Sequence, residues 1–337
     1  MADSMIRIAV IGYGYWGPNI VRNLQGIDGA EVVAICDRDP KALQRARQSF
    51  PNIETTSVES DLLTSPYIDA VAAITPVWTH FELAQAALQN GKHVFVEKPF
   101  TCASGQAKRL IELAEKAKLT IMVDHTFLFT GAVRKIRHLI DDGTLGDLYY
   151  YDSTRVNLGL FQHDINVIWD LAPHDLSIMD YLIQSKPEAV VATGEAHLNG
   201  LADVAYITIY FPDSVIAHIN VNWLSPVKVR TTLIGGEKKM LVWNDLAPDE
   251  KIKVYDKGAQ VKKGESIYDL LVSYRSGDMW APKIDGGEAL RRELAYFITC
   301  INSGERPIND GLSGLRVVEM LEASDRSLKE KGKAVQL

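Results

Sequence analysis

Ile6-Arg7-Ile8-Ala9-Val10-Ile11-Gly12-Tyr13-Gly14-Tyr15-Trp16-Gly17 is an apolar run followed by three glycines in G-x-G-x-x-G spacing, and residues 18–24 then continue with helical periodicity. The run reads as a buried parallel strand, near-continuously apolar because both its faces are covered. The glycines permit a tight turn and close backbone approach, so a pyrophosphate can rest on the helix N-terminus. Alone the motif is weak, and a purely structural turn is the alternative; the strand before and the helix after supply the required context. Asp37 ends the next apolar run, 20 residues beyond Gly17, where an acid accepts hydrogen bonds from an adenosine ribose. A carboxylate there repels a 2′-phosphate and favours NAD over NADP. Arg38 works against that preference, since an arginine either accepts the phosphate or covers the adenine. Gly12, Tyr13, Gly14, Tyr15, Trp16, Gly17, Asp37 and Arg38 are the first cofactor-binding candidates.

Outward from this stretch, residues 31–36, 69–74, 93–96 and 120–123 repeat the apolar-run pattern, and 40–50, 79–90 and 104–118 carry helical spacing. Alternation of this kind signals a doubly wound parallel sheet. Run 69–74 leads into Thr75-Pro76-Val77-Trp78-Thr79-His80, with Thr79 a candidate N-cap. That turn is expected at the cofactor, so Thr75, Pro76 and His80 join the cofactor-binding candidates; His80 reads equally well as packing at a helix start. Run 93–96 ends in Glu97-Lys98-Pro99. This places an ammonium at the carboxyl end of a buried strand, where open α/β sheets bind ligands. Glu97 and Lys98 are further cofactor-binding candidates, and Lys98 is a catalytic one. The tripeptide by itself reads as a solvated lysine at a strand end.

Beyond residue 125 the texture changes to long alternating strands (148–156, 189–198, 204–211, 215–224, 229–234, 240–244), with helical stretches at 132–142, 174–184, 287–302 and 312–331. In 215–224, Val215, Ala217, Ile219, Val221 and Trp223 share one face, and Ile216, His218, Asn220 and Asn222 the other. That alternation marks a half-buried, mostly antiparallel sheet whose polar face meets solvent, a site or another subunit. The expected division is a dinucleotide-binding domain over 1–125 and a substrate-binding and oligomerisation domain over 126–337.

Trp169-Asp170-Leu171-Ala172-Pro173-His174-Asp175 carries the second chemical signal. Pro173 suits a first helical position, and Asp170 and His174, four apart, meet on a helix or turn. An aspartate beside an imidazole fixes its tautomer and supports its protonated form, which makes a usable base near neutral pH. Oxidising an alcohol with NAD requires a hydride acceptor and a base for the hydroxyl proton, and an ammonium on the same oxygen favours the developing charge. Lys98, Asp170 and His174 are the catalytic candidates. Against this stand a helix-start role for His174 and Asp175, a dyad from His163 and Asp164, and a metal site from His163, Asp164, Asp170 and His174. The metal site lacks any compact ligand pattern, and no metal is expected.

Of 337 residues, 47% are hydrophobic and 23% charged, with a net charge of −7. The negative balance argues against nucleic acid or an anionic membrane as partner. Cys36, Cys102 and Cys300 are odd in number and form no C-x-x-C pair, which suits a reducing compartment. Met1-Ala2-Asp3-Ser4 runs straight into a strand with no leader pattern, and Met5 is an alternative start. No apolar stretch is long enough to span a bilayer, and the expected location is cytoplasmic.

With Gly12-Tyr13-Gly14-Tyr15-Trp16-Gly17, Thr75-Pro76, Glu97-Lys98-Pro99 and Asp170-Leu171-Ala172-Pro173-His174-Asp175 assembled, the chain resembles the glucose-fructose oxidoreductase/inositol dehydrogenase/rhizopine-catabolism (Gfo/Idh/MocA) family over essentially its whole length. The resemblance implies an α/β Rossmann domain followed by an α+β domain with a large, mostly antiparallel open-faced sheet. It implies Lys98, Asp170 and His174 as the active-site lysine, aspartate and histidine, with His174 the base toward a sugar or cyclitol hydroxyl. It also implies a homodimer or homotetramer formed through the exposed sheet face. Within the family the chain looks most like NAD-dependent dehydrogenases that oxidise the C3 hydroxyl of nucleotide-linked amino sugars. Arg155, Lys228 and Arg230 are compatible cations for a diphosphate or carboxylate, Trp223 is a surface for a sugar or base ring, and Asn157 and His174 complete the substrate-binding candidates. Asp124-His125-Thr126-Phe127 departs from the asparagine or arginine common in the family after the sixth strand. The alternatives are a free cyclitol or monosaccharide dehydrogenase and a non-catalytic cofactor-binding regulator; the joint presence of Lys98, Asp170 and His174 argues against the regulator.

Overall fold

β1 (Ile6–Ile11) is buried at every position but Arg7, as its apolar run requires. The structure, a computed structural model, describes residues 5–159, 161–162, 164–263 and 270–337. After β1 come α1 (Gly17–Leu24), β2 (Ala30–Cys36), α2 (Pro40–Ser49), β3 (Glu54–Thr56), α3 (Glu59–Thr64), β4 (Ala70–Ala73), α4 (His80–Gln89), β5 (His93–Val96), α5 (Ser104–Ala117) and β6 (Ile121–Val123). The six strands form one parallel sheet in the order β3-β2-β1-β4-β5-β6, the expected doubly wound arrangement. β3 is too short and polar to show in the sequence.

The chain continues through α6 (Gly131–Asp141), β7 (Leu148–Leu158), α7 (Val167–Leu182), β8 (Ala189–Glu195), β9 (Val204–Tyr210), β10 (Ile216–Asn222), β11 (Leu224–Gly236), β12 (Met240–Asn244), β13 (Ile252–Lys263), β14 (Leu270–Trp280), α8 (Ala289–Ser303), α9 (Gly311–Lys329) and β15 (Val335–Gln336). The second sheet has nine strands in the order β14-β13-β12-β11-β7-β10-β9-β8-β15, antiparallel except where β10 meets β7. β13, β14 and β15 escaped the sequence reading. On β10 the expected alternation appears: Ala217, Ile219 and Val221 are fully buried, whereas Ile216 is 38% exposed. α7 covers the buried face, packing on β7, β9 and β10.

Two compact units result, Met1–Phe129 with Glu288–Glu319, and Thr130–Gly287 with Met320–Leu337. The sequence predicts one boundary at residue 125, whereas residues 288–319 belong with the first unit. α8 belongs with the first unit because Leu290, Leu294, Phe297 and Ile298 enter the core built on β1, β2 and α1. Phe297 meets Phe95 of β5 edge-on at 5.7 Å. No helix among the described residues is long and apolar enough to cross a membrane.

Candidate active site

Gly12 has φ +102°, and a Cβ there would lie 2.1 Å from the carbonyl oxygen of Ile74; a Cβ on Gly17 would lie 2.4 Å from the carbonyl oxygen of Gly12. Both positions therefore exclude every side chain. At Gly14 a Cβ would meet nothing within 4 Å. Its backbone borders a cleft of about 460 Å³ lined by Gly12, Gly14, Asp37, Arg38, Glu59, Thr75, Pro76, Trp78, Thr79 and Glu82, among others. Open space over Gly14 at the start of α1 is what a pyrophosphate needs.

Asp37 braces this turn: Oδ2 accepts from Tyr13 N at 2.6 Å and Oδ1 from Asp39 N at 2.8 Å. A carboxylate has about four acceptor sites, which leaves capacity for ribose hydroxyls. The other aromatic members of the motif do different work. The Tyr13 side chain is buried, Tyr15 is 93% exposed, and the Trp16 indole donates to Asp124 Oδ2 at 3.0 Å. Trp16 thus ties the glycine turn to the end of β6.

Two cofactor-binding expectations are corrected here. His80 is fully buried, with Nδ1 at 2.9 Å from Pro99 O and Nε2 at 2.7 Å from Thr75 O. It joins the two turns from within and presents nothing to the cleft; burial lowers its pKa despite the two carbonyl acceptors. Glu97 turns its carboxyl inward to hydrogen-bond Asp124, and burial together with that neighbour raises its pKa well above the usual carboxylate range. Glu293 on α8 meets Asp124 in the same way and is raised for the same reasons, while its Oε1 accepts from Asn309 Nδ2 at 2.8 Å. Lys98, half-buried beside this cluster, joins Pro99 through a cis peptide bond. Thr79 occupies the N-cap position of α4 as expected, but its side chain makes no capping hydrogen bond; its hydroxyl donates to Pro76 O at 2.8 Å and lies 2.6 Å from Thr75 Oγ1.

In the second unit, α7 begins seven residues earlier than expected, so Pro173 lies inside the helix and not at its start. The Asn166 side chain caps it, accepting from Ile168 N and Trp169 N at 3.1 Å each. Asp170 and His174 fall on one helical face, both half-buried. Among the contacts that hold α7 in place are those with Asp325, Arg155 and Trp223. Asp325 accepts from Asn166 Nδ2 at 2.9 Å and from Trp169 Nε1 at 2.8 Å. Asp175, 2% exposed, pairs with Arg155, 4% exposed, at 2.5 Å to Nε and 3.3 Å to Nη2. Trp223 donates its indole N–H to Asp170 Oδ2 at 3.0 Å.

These contacts correct two substrate-binding expectations. Arg155 is committed to a buried ion pair beneath α7. Trp223 is 1% exposed and packs edge-on against Phe161 at 5.5 Å, so its ring is covered. An inward-facing residue on an alternating strand has the same sequence signature whether it meets ligand or protein. Lys228 is exposed, Arg230 half-buried with Asp245 at 3.5 Å, and Asn157 half-buried against Gly159. Sequence reasoning missed Glu59, Trp78 and Glu82 in the cleft, and the partnership of Asp124 with Glu97 and Glu293. Among the described residues no three His, Cys, Asp or Glu side chains are placed to hold a metal. His163 lies outside the described residues.

Two family models match the chain. Residues 6–125 match the oxidoreductase family with an NAD-binding Rossmann fold, and residues 133–242 match the GFO/IDH/MocA C-terminal domain. The chain belongs to the Gfo/Idh/MocA oxidoreductases. It is accordingly an NAD-dependent oxidoreductase acting on CH–OH groups. The family's relatives include scyllo-inositol 2-dehydrogenase (NAD(+)) of Bacillus subtilis, 27% identical over 99% of this chain and 97% of that protein. UDP-N-acetylglucosamine 3-dehydrogenase of Acidithiobacillus ferrooxidans is 25% identical over 93% of this chain and 94% of its own length. The solved structure of UDP-N-acetylglucosamine 3-dehydrogenase GnnA from that organism shares the fold, with a TM-score of 0.80 at 23% identity over 96% of this chain and 98% of that one.

Proposed function

We propose that this protein oxidises a secondary hydroxyl of a sugar, the C3 hydroxyl of a UDP-type nucleotide-linked amino sugar or its uronate. The observation that carries the reading is the Asp170–His174 face of α7, with Asp170 already held by the Trp223 indole. NAD, when bound, supplies the hydride acceptor. Gly12, Gly14 and Gly17 give it backbone clearance, Asp37 takes the adenosine ribose, and Thr75 and Pro76 border its path. His174 removes the hydroxyl proton through an imidazole nitrogen, with Asp170 keeping the ring oriented and supporting its charged form. Lys98 Nζ donates to the same oxygen as negative charge develops there. Lys228, Arg230 and Asn157 are the substrate contacts left once Arg155 and Trp223 are withdrawn.

Oxidation of a free cyclitol is the second reading. It is favoured by the inositol dehydrogenase relative and by the loss of buried Arg155 as a diphosphate ligand. The test is NADH formation across UDP-N-acetylglucosamine, its uronate and the inositols. Turnover of UDP-sugars, abolished by Lys98→Ala and by His174→Ala, supports the leading reading. Turnover of inositols alone shifts it to the second, and variants as active as wild type would overturn the catalytic assignment. We further propose a homodimer or homotetramer formed through the outer face of β9 and β10, where Tyr206, Tyr210 and Ile216 are 42%, 44% and 38% exposed. A molar mass of one chain by light scattering would contradict it. A cytoplasmic location fits the three free cysteines.

A further inference from the structure

The ribose end of the nucleotide cleft contains a charge arrangement that Asp37 alone does not explain. The charged residues lining the cleft as a whole are Asp37, Arg38, Glu59 and Glu82, three carboxylates against one guanidinium. The guanidinium is engaged already: Arg38 Nη2 lies 2.6 Å from Glu59 Oε1. The two partners differ in freedom. The Arg38 side chain is 79% exposed, whereas that of Glu59 is 28% exposed. Glu59 opens α3, where a carboxylate is favoured by the helix dipole, and the turn before it is closed by Val58 N donating to Thr56 Oγ1 at 3.1 Å. Glu59 is the fixed end of the pair and Arg38 the movable one. The pairing holds the Glu59 carboxyl below its usual range, mainly through the Arg38 hydrogen bond.

We propose that Glu59 is a specificity-determining residue for the cofactor: it occupies Arg38, withholds that guanidinium from a 2′-phosphate, and with Asp37 and Glu82 keeps the adenosine-ribose end of the cleft selective for NAD. An unclaimed arginine beside this ribose is a ready phosphate ligand. Binding a 2′-phosphate to the wild-type cleft means breaking the Arg38–Glu59 pair while bringing a charge of about −2 toward three carboxylates. The inference rests on dinucleotide binding and not on which sugar is oxidised.

The test is calorimetric titration of the full chain, free of cofactor, with ADP and with adenosine 2′,5′-diphosphate. The readout is the ratio of their dissociation constants in wild type, Glu59→Gln, Glu59→Ala and Arg38→Ala/Glu59→Ala. We expect the ratio to move about tenfold toward the 2′-phosphate ligand in Glu59→Ala, less in Glu59→Gln, and the gain to shrink with added salt. In Arg38→Ala/Glu59→Ala the gain is expected to vanish, because the guanidinium that accepts the phosphate is gone. A ratio unmoved in both single variants overturns the proposal, as does a gain that persists without Arg38. Glu59→Gln keeps the side-chain shape, so the comparison survives if Glu59→Ala does not fold.

Discussion

Asp175→Asn is the most informative single change in the second unit, because it alters a charge and almost no volume. Arg155 and Asp175 are 4% and 2% exposed and joined at 2.5 and 3.3 Å. Removing one partner of a buried pair strands the other charge and costs about 3–5 kcal/mol. The local field places this case toward the upper end: Arg230 and Arg155 repel one another, with Asp245 as the remaining nearby carboxylate. At about 2–4 °C per kcal/mol for a unit of this size, the expected fall in Tm is roughly 6–20 °C. Asp175 directly follows His174, so the same loss loosens the helix that carries the proposed base, and kcat should fall with it. The assays are a thermal scan and NADH formation below the transition. Arg155→Met/Asp175→Leu should recover most of the stability, since an apolar pair of similar volume leaves no stranded charge. A Tm for Asp175→Asn within about 2 °C of wild type, the behaviour of a surface ion pair, would refute the reasoning.

Three further outcomes follow from the same geometry. Gly14→Ala should leave stability within about 1 kcal/mol but weaken NAD binding at least about tenfold, since its Cβ meets only open cleft, whereas Gly12→Ala should not fold, with a Cβ 2.1 Å from Ile74 O; urea melts and NAD titration separate the two. His125 is 1% exposed, neither ring nitrogen has a hydrogen-bond partner among the described residues, and burial lowers its pKa to about 4. The folded form therefore resists protonation, and about 3 kcal/mol of stability present above pH ~6.5 is lost as pH falls toward 4. His125→Leu should remove that share of the slope, and parallel stability–pH curves for the two proteins would contradict it. Trp223→Phe deletes the donor to Asp170; kcat should fall about tenfold with KM for NAD little changed, in steady-state kinetics.

The strand–glycine–helix stretch at Ile6–Gly17 and the alternation along β10 were legible because each is a local pattern, repeated at the period of its backbone. α7 was legible in kind but not in extent: Pro173 reads as a start, and the cap at Asn166 shows only once Val167–Leu182 is seen as one helix. Arg155 and Trp223 were misread because strand periodicity says which way a side chain points and not what waits there. The group formed by Glu97, Asp124 and Glu293 was invisible, since its members end β5, end β6 and lie on α8.

By itself the sequence determined the parallel doubly wound sheet, the turn for a dinucleotide, the second sheet and the candidate residues for an alcohol oxidation, because spacing and residue chemistry are properties of the chain. Tertiary structure alone decided which of those residues face a cleft and which face the protein. It turned Glu97 and His80 inward, committed Arg155 to Asp175 and Trp223 to Asp170, and set Glu59 against Arg38. Those partners lie far apart in sequence or on separate elements, and a side chain's role depends on what burial leaves it to bond.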